Sequence, residues 1–232
     1  MHKTSVDGRL LEAEGDVNGG SRRAASCGLG LIKAFSRASV GLFVAVEGID
    51  GSGKSTVIEE LRKLLPIYAT KEPSDGPIGR LIKSWALRRG TSDPYTDALL
   101  FAADRLEHYQ REIAPALGEG RVVVTERYVE SSVAYQGAAG VDIKFIELIN
   151  SRVPTPDVTV LLDIEPEKAV ARIEARGGDA EKYERLEFLR AVRSIYLRRA
   201  AERGYVVLDA EEPPATIARR IAELIGARSS RA

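Results

Sequence analysis

The chain has 232 residues, of which 44% are hydrophobic, and this is enough for one medium-sized α/β domain with a substantial core. Its 34 basic and 34 acidic residues cancel, so no overall field favours nucleic acid or an anionic membrane, and we expect neither as a partner. A single cysteine, Cys27, excludes an internal disulfide framework and a cysteine zinc site, and no apolar stretch approaches the roughly 20 residues that span a bilayer. We therefore expect a soluble, cytoplasmic protein that binds any anionic ligand through a local cluster of cations.

The first 41 residues differ from the rest of the chain. They are rich in Gly, Ser and Ala and show no sustained hydrophobic period, so they cannot support a packed unit. We expect residues 1–41 to be a disordered extension, or to reflect a start codon assigned too far upstream. A transit segment is the alternative, but four acidic residues among the first sixteen argue against it.

A phosphate-binding loop follows the first predicted strand, an apolar run at residues 42–46. After Glu47 the chain reads GIDGSGKS, which matches the pattern G-x-x-x-x-G-K-[ST], whose glycines let backbone N–H groups turn inward around an anion. Lys54 adds a point charge for the outer phosphates, and the Ser55 hydroxyl is placed to ligate Mg²⁺. Helical spacing then puts a bound phosphate at a helix N-terminus. The predicted nucleotide-binding residues are Gly48, Ile49, Asp50, Gly51, Ser52, Gly53, Lys54, Ser55 and Thr56.

Apolar strands alternate with helical patterns along the rest of the chain. Further strands are predicted at residues 66–70, 121–125, 157–163 and 204–209, with helices at 78–89, 94–117, 143–150, 166–176, 186–202 and 214–225. This alternation predicts a parallel sheet covered on both faces, and ligands of such sheets bind at the carboxyl ends of the strands. On the 94–117 helix, Phe101, Arg105 and His108 share one face. We interpret Trp85, on the preceding helix, as a core residue.

Four stretches together resemble the thymidylate kinase family: VEGIDGSGKST from residue 46, TKEP from 70, LLFAADR from 99 and ERYVESSVAYQG from 126. The pattern R-Y-x-x-S-x-x-A-Y-Q-G behind LLFAADR is far more specific than the phosphate loop. The resemblance implies a P-loop NTPase fold of three layers, with a five-stranded parallel sheet, helices on both faces and a short mobile lid at about residues 172–186, all in one domain over 42–232. It also implies ATP-dependent, Mg²⁺-assisted conversion of dTMP into dTDP by in-line phosphoryl transfer, in a homodimer.

The resemblance also assigns roles in binding dTMP. It places Arg127 at the acceptor phosphate, Arg105 at the thymine base and Phe101 against the thymine ring. Asp50 would meet the acceptor sugar. The predicted substrate-binding residues are Glu72, Phe101, Arg105, Arg127, Ser131, Tyr135 and Gln136. Plainer alternatives stay open, since Phe101 could be core, Arg105 a surface charge and Ser131 a helix-start residue; His108 is assigned no catalytic role.

Two departures from the family pattern affect the predicted chemistry. Gly51 stands where one class of the family has an arginine, so the cation for the transferred group is expected from the lid, with Arg176 the first choice and Lys182 the second. Arg172 resembles the arginine that flanks adenine; the alternative is that this charged segment is only a solvated connection. Glu126 replaces the usual Asp, and it can still reach Mg²⁺ through water. The predicted catalytic residues are Asp50, Lys54, Arg127, Arg176 and Lys182, and the predicted metal ligands are Ser55 and Glu126.

Two other functions fit parts of the pattern. One is a kinase of another nucleoside monophosphate or of a deoxynucleoside on the same fold. Thymine differs from uracil by a methyl group worth roughly 0.8 kcal/mol, so dUMP is expected to be a weak substrate. The other is an ATP-binding switch without kinase activity, which would leave Arg105, Arg127 and Gln136 without a role.

Overall fold

One parallel sheet forms the centre of the structure, a computed structural model that describes residues 41–87, 93–176 and 186–229. Its strands are β1 Leu42–Glu47, β2 Ile67–Lys71, β3 Val122–Glu126, β4 Val158–Asp163 and β5 Val206–Asp209. They lie in the order β2-β3-β1-β4-β5, and every neighbouring pair is parallel. The predicted five-stranded parallel sheet is therefore confirmed.

Helices connect successive strands. They are α1 Lys54–Leu64, α2 Pro77–Leu81, α3 Pro94–His108, α4 Ala114–Gly118, α5 Val129–Ala138, α6 Ile143–Ile149, α7 Pro166–Glu174, α8 Leu186–Arg203 and α9 Pro214–Ser229. A π-helical turn extends α2 over Ile82–Ala86, and another joins α3 to α4 over Tyr109–Ile113. The predicted helix 94–117 is interrupted there because Pro115 has no backbone N–H to continue an α-helical ladder.

The side chains of β1 alternate between the two faces of the sheet. Val44 and Val46 pack into a large core cluster with residues of α1, α8 and α9, whereas Phe43 and Ala45 pack into a second cluster with the segment around α4. Helices thus cover both faces, as the three-layer fold requires. The charged residues that end β1, β2, β3 and β4 consequently meet at one edge of the sheet.

The structure corrects the interpretation of two segments. Trp85 is 40% exposed, so its assignment to the core is wrong; the π-helical turn instead directs Ile82 and Ala86 inward. Helix α5 was not among the predicted helices, although the sequence leaves Ser131 open as a helix-start residue, and Ser131 does lie in the first turn of α5. It is buried on nearly every side, from Glu130 to Gln136, and therefore has no alternation of polar and apolar faces by which to recognise it.

Two predicted regions are largely beyond the described residues. The extension at 1–41 lies outside them apart from Gly41, and so do residues 177–185 of the proposed lid. Among the helices that the structure describes, none combines the length and the apolar character that crossing a membrane requires.

Candidate active site

The phosphate loop wraps around the side chain of Lys54. Lys54 is only 4% exposed, and its buried ammonium donates to the carbonyl oxygens of Gly48 at 3.0 Å and Ile49 at 2.9 Å. Burial, together with the charge of Arg127, lowers the pKa of Lys54 from 10.5 to about 8. The loop therefore holds a buried cation, at the start of α1, that an anion would stabilise.

Gly51 is required at its position for two reasons. Its φ is +81°, and a Cβ atom built there would lie 2.4 Å from the carbonyl oxygen of Ala169 on α7. An arginine at this point of the loop would collide with the backbone of α7. Position 51 therefore has no room for a cationic side chain.

Two oxygen-bearing side chains meet beside the loop. The Ser55 hydroxyl at the start of α1 donates to Glu126 Oε2 at the end of β3, at 2.8 Å. No cluster of three or more His, Cys, Asp or Glu residues suited to a metal occurs in the described ranges. Mg²⁺ commonly takes one or two protein ligands and fills its octahedron with water and phosphate oxygens, so this pair fits the ion.

A cavity of about 260 Å³ lies next to the phosphate loop and brings the predicted acceptor residues together. It is lined by Asp50, Glu72, Pro73, Leu87, Phe101, Arg105, Arg127, Ser131, Ser132, Tyr135 and Gln136. All seven residues predicted to bind substrate are among them, together with Asp50 of the loop. The structure thus places a second candidate anion site beside the phosphate loop.

Arg127 is held in an uncommon backbone conformation. Its φ of 69° is in the left-handed region, which costs a residue with a side chain on the order of 1 kcal/mol. Hydrogen bonds offset this cost, because its N–H donates to the Val46 carbonyl at 3.0 Å and its carbonyl accepts from the Thr125 hydroxyl at 2.9 Å. The conformation turns the guanidinium back toward the loop, where it forms an ion pair with Asp50.

Asp50 links that guanidinium to an aromatic ring. The Tyr135 hydroxyl donates to Asp50 Oδ2 at 3.0 Å and accepts from the Asp50 backbone N–H at 2.9 Å. Burial by itself would raise the pKa of Asp50, but the charges of Arg127 and Lys54 outweigh it and hold that pKa below its ordinary value. The carboxylate is therefore ionised at neutral pH and sits between two cations.

Arg105 is fully buried rather than a surface charge, with 1% of its area exposed. Nε donates to Glu72 at 2.8 Å, Nη1 to Asn150 at 2.6 Å, and Nη2 to both the Tyr128 carbonyl at 2.9 Å and Ser132 at 3.2 Å. A guanidinium has five N–H donors, so these contacts leave one, on Nη1. Arg105 can thus offer a single directed hydrogen bond to a molecule in the cavity.

Gln136 supplies a hydrogen-bond acceptor that lines the same cavity as Arg105. It is 6% exposed, and its Oε1 atom has no hydrogen-bond partner within the described part of the chain. A buried carbonyl oxygen left without a partner costs about 1–3 kcal/mol, which a ligand donor would recover. Phe101 is partly buried, belongs to none of the described core clusters and also lines the cavity. The core alternative for Phe101 therefore finds no support.

A further cavity of about 470 Å³ opens on the other side of the loop. Gly51, Gly53 and Thr56 line it, together with Arg172 and Arg176 from the end of α7. Arg172 donates to the Ala210 carbonyl at 3.1 Å, and Nε of Arg176 donates to the Arg172 carbonyl at 3.0 Å. Within the ranges that the structure describes, the Nη atoms of the exposed Arg176 make no hydrogen bond. Lys182, the other candidate lid cation, lies outside the described residues.

Several residues of the site were not identified from sequence. Glu47, 1% exposed, accepts hydrogen bonds from the Tyr128 N–H at 2.8 Å and the Ser131 hydroxyl at 2.6 Å. Asn150 holds Arg105 from the end of α6, where an asparagine is typical of an ordinary helix end. The partners of Glu47 are more than 80 residues away in the sequence, so no local pattern indicates these contacts. Its position at the end of a strand was the one signal that could have marked Glu47 as a site residue.

Comparison with known proteins agrees with this geometry. The family model described as thymidylate kinase matches residues 46–221. The chain is 65% identical to the probable thymidylate kinase of Pyrobaculum aerophilum over 184 residues, which cover 79% of this chain and 95% of that protein. It is also 42% identical to the thymidylate kinase of Coprothermobacter proteolyticus over 193 residues, covering 78% of this chain and 97% of that protein.

The family match extends from the end of β1 through the phosphate loop, the cavity beside it and the other four strands, and the alignments cover nearly the whole length of both relatives. The chain belongs to the thymidylate kinase family.

Proposed function

We propose that the protein is a nucleoside monophosphate kinase that transfers the γ-phosphoryl group of ATP to dTMP, yielding dTDP for nucleotide biosynthesis. The observation that carries this proposal is the 260 Å³ cavity beside the phosphate loop, where Arg127 and Phe101 line the same space as the unsatisfied Gln136. A protein that only bound ATP would need no second anion site. The thymidylate kinases among its relatives support dTMP as the acceptor.

The donor side would hold ATP by its phosphates. Lys54 and the loop N–H groups would bind them, while Arg172 would lie beside the adenine in the 470 Å³ cavity. Ser55 and Glu126 would hold Mg²⁺, Glu126 directly or through water, and the bound ion would neutralise charge that develops on the phosphate oxygens. Arg176 at the rim of the cavity, or Lys182, would supply the cation that Gly51 cannot.

The acceptor side would align a phosphate monoester for in-line attack. The second pKa of such a group is about 6, so it is already a dianion at neutral pH and needs no general base. Arg127 would grip this phosphate, Asp50 and Tyr135 would contact the deoxyribose, and Phe101 would stack on the base. Thymine presents an N–H donor between two carbonyl acceptors, and the Gln136 oxygen and the last N–H of Arg105 can complement that pattern.

The roles of Glu72 and Ser131, the bounds of the domain and the location of the protein are also part of this proposal. Glu72 and Ser131 line the acceptor cavity but bind Arg105 and Glu47 respectively, so we propose that they shape the site rather than contact the reacting atoms. We place the kinase domain at residues 42–232, with a lid at about 172–186. The cytoplasm is the proposed location, in line with the single cysteine of the chain.

The direct test is to incubate the protein with ATP, Mg²⁺ and each nucleoside monophosphate, and to identify the diphosphate by chromatography. We expect dTDP as the main product and a kcat/KM for dUMP about fourfold lower than for dTMP, because a buried methyl group is worth about 0.8 kcal/mol and about 1.4 kcal/mol corresponds to tenfold. A preference for a purine or cytidine monophosphate would contradict the assignment of the base pocket. ATP binding without any transfer would favour the switch.

Replacing Arg127, the cation proposed to bind the acceptor phosphate, tests the acceptor site separately from the ATP site. Arg127→Ala should lower kcat/KM for dTMP at least about a hundredfold, because a charge-stabilising donor in the transition state is lost, while the Kd for ATP changes little. Arg198→Ala removes an exposed arginine of α8 and serves as the control with unchanged kinetics. Unchanged activity in Arg127→Ala would show that the acceptor phosphate binds elsewhere.

ATP binding should weaken as pH rises through the lowered pKa of Lys54. The folded protein holds this pKa at about 8, so above pH 8 the neutral amine dominates, and binding of phosphates must first restore the proton. We expect the Kd for ATP to rise toward tenfold per pH unit above 8, with proton uptake seen by calorimetry in buffers of different ionisation enthalpy. Lys54→Arg keeps its charge and should remove the slope; a flat wild-type profile from pH 7 to 9.5 would contradict the prediction.

We also propose that two copies form a homodimer through α3. Tyr95 and Leu99 are four residues apart on one helical face and are 40% and 51% exposed, so this face of α3 offers two neighbouring apolar side chains for a contact between copies. Light scattering coupled to gel filtration should give twice the chain mass. Leu99→Glu should shift the protein toward monomer, whereas Leu64→Glu, on the exposed side of α1, should not. A monomeric wild type would refute the proposal.

A further inference from the structure

His108 lies behind the acceptor cavity in a buried chain of polar contacts. Its side chain is fully buried, and its Nδ1 atom is 3.3 Å from Glu72 Oε1. The other carboxylate oxygen of Glu72 accepts from Arg105 Nε at 2.8 Å. Glu72, with a side chain 3% exposed, is therefore held between a histidine and the arginine that faces the cavity.

Hydrogen-bond roles determine which ring nitrogen carries a proton. An ionised carboxylate only accepts, so Nδ1 of His108 must carry the hydrogen that it shares with Glu72. On the other side of the ring, Nε2 is 2.7 Å from the Thr70 hydroxyl, which donates its hydrogen to Glu112 at 3.2 Å and so can only accept from the ring. The imidazole thus joins β2, the loop after it and α3, with Glu72 on one side and Thr70 and Glu112 on the other.

We propose that His108 is a positioning residue for the nucleotide acceptor: by donating from Nδ1 to Glu72, it fixes the carboxylate that sets the plane of the Arg105 guanidinium. This rests on the proposed function, because it assigns to Arg105 a contact with the acceptor base. Arg105 has one N–H left for the cavity, so a small rotation of the guanidinium would misdirect that donor. Asn150 and Ser132 hold the Nη ends, and Glu72 is its partner at Nε.

Energetic considerations favour Glu72 as the residue that determines the orientation of the Arg105 guanidinium. The carboxylate is too buried for water to replace a lost partner, and hydrogen bonds to charged groups are the stronger ones in proteins. If His108 did not donate, Glu72 Oε1 would seek another donor within the site. The nearest available cation is Arg105 itself, which would have to turn away from the cavity to serve both oxygens.

Two substitutions separate the ring nitrogens. The side-chain amide nitrogen of His108→Asn takes the place of Nδ1 and keeps the donor to Glu72, whereas that of His108→Gln takes the place of Nε2 and loses it. We expect His108→Asn to keep the KM for dTMP within about twofold of wild type, and His108→Gln to raise it about tenfold. In both variants, kcat and the KM for ATP should change less than about twofold.

A merely structural role would give a different result. Loss of folded enzyme lowers the apparent kcat and leaves both KM values unchanged, and thermal unfolding of both variants measures that effect directly. Equal KM shifts for dTMP in the two variants, a larger shift in His108→Asn, or a parallel change in the KM for ATP would overturn the proposal.

A measurement on the intact site covers the case in which a variant does not fold. The chain has two histidines, so a His2→Asn protein labelled with ¹⁵N-histidine reports His108 alone. We expect the ¹⁵N shifts to show a proton on Nδ1; a ring protonated on Nε2 only would refute the donation to Glu72. Should the wild type make no dTDP, the proposed function fails, while this spectrum still decides whether His108 holds Glu72.

Discussion

The buried carboxylate of Glu47 connects the two halves of the active site. It ends β1, directly before the phosphate loop, and its oxygens bind the backbone N–H of Tyr128 and the hydroxyls of Ser131 and Tyr196. Burial raises its pKa, an energetic penalty that these donors partly offset. The start of α5 and the body of α8 are thereby attached to the strand that carries the donor loop. Phosphoryl transfer would need a fixed separation between the two candidate anion sites, and Glu47 attaches α5, which lines one of them, to the strand that leads into the phosphate loop.

Two cations, Lys54 and Arg127, lie close together in the site, and Asp50 balances part of their charge. Lys54 is buried and Arg127 is partly buried, and the charge of Arg127 contributes to the low pKa of Lys54. Asp50 lies between them, paired with Arg127, and so reduces the repulsion that would otherwise oppose two adjacent cations. Two polyanionic nucleotides can bring their phosphates together only where such cations are already concentrated. The loop aspartate makes that concentration compatible with a folded core.

The sequence predicted those features that depend on local pattern. Alternating apolar strands and helices were enough for the parallel sheet, and the motif residues around Arg127 were brought to one cavity as expected. Features that depend on distant partners were not predicted. Asn150 contacts Arg105 across 45 residues, and nothing near either residue indicates the contact. Helix α5 was missed because burial on all sides removes its periodicity, and Trp85 was misassigned because a π-helical turn changes which side chains face inward.

The central position of β1 constrains how the protein can be assembled during synthesis. β1 precedes the other strands in the chain, yet it pairs with β3 and β4. Leu42 can therefore pair only after Val122 has been synthesised, and Val44 can pair with Val158 only later still. The helix behind the phosphate loop packs against α9 near the far end of the chain. A nascent chain therefore cannot complete the pairing of β1 until the residues of β3 and β4 have been synthesised. Because the phosphate loop follows β1 directly, a nucleotide can assist folding only at that late stage.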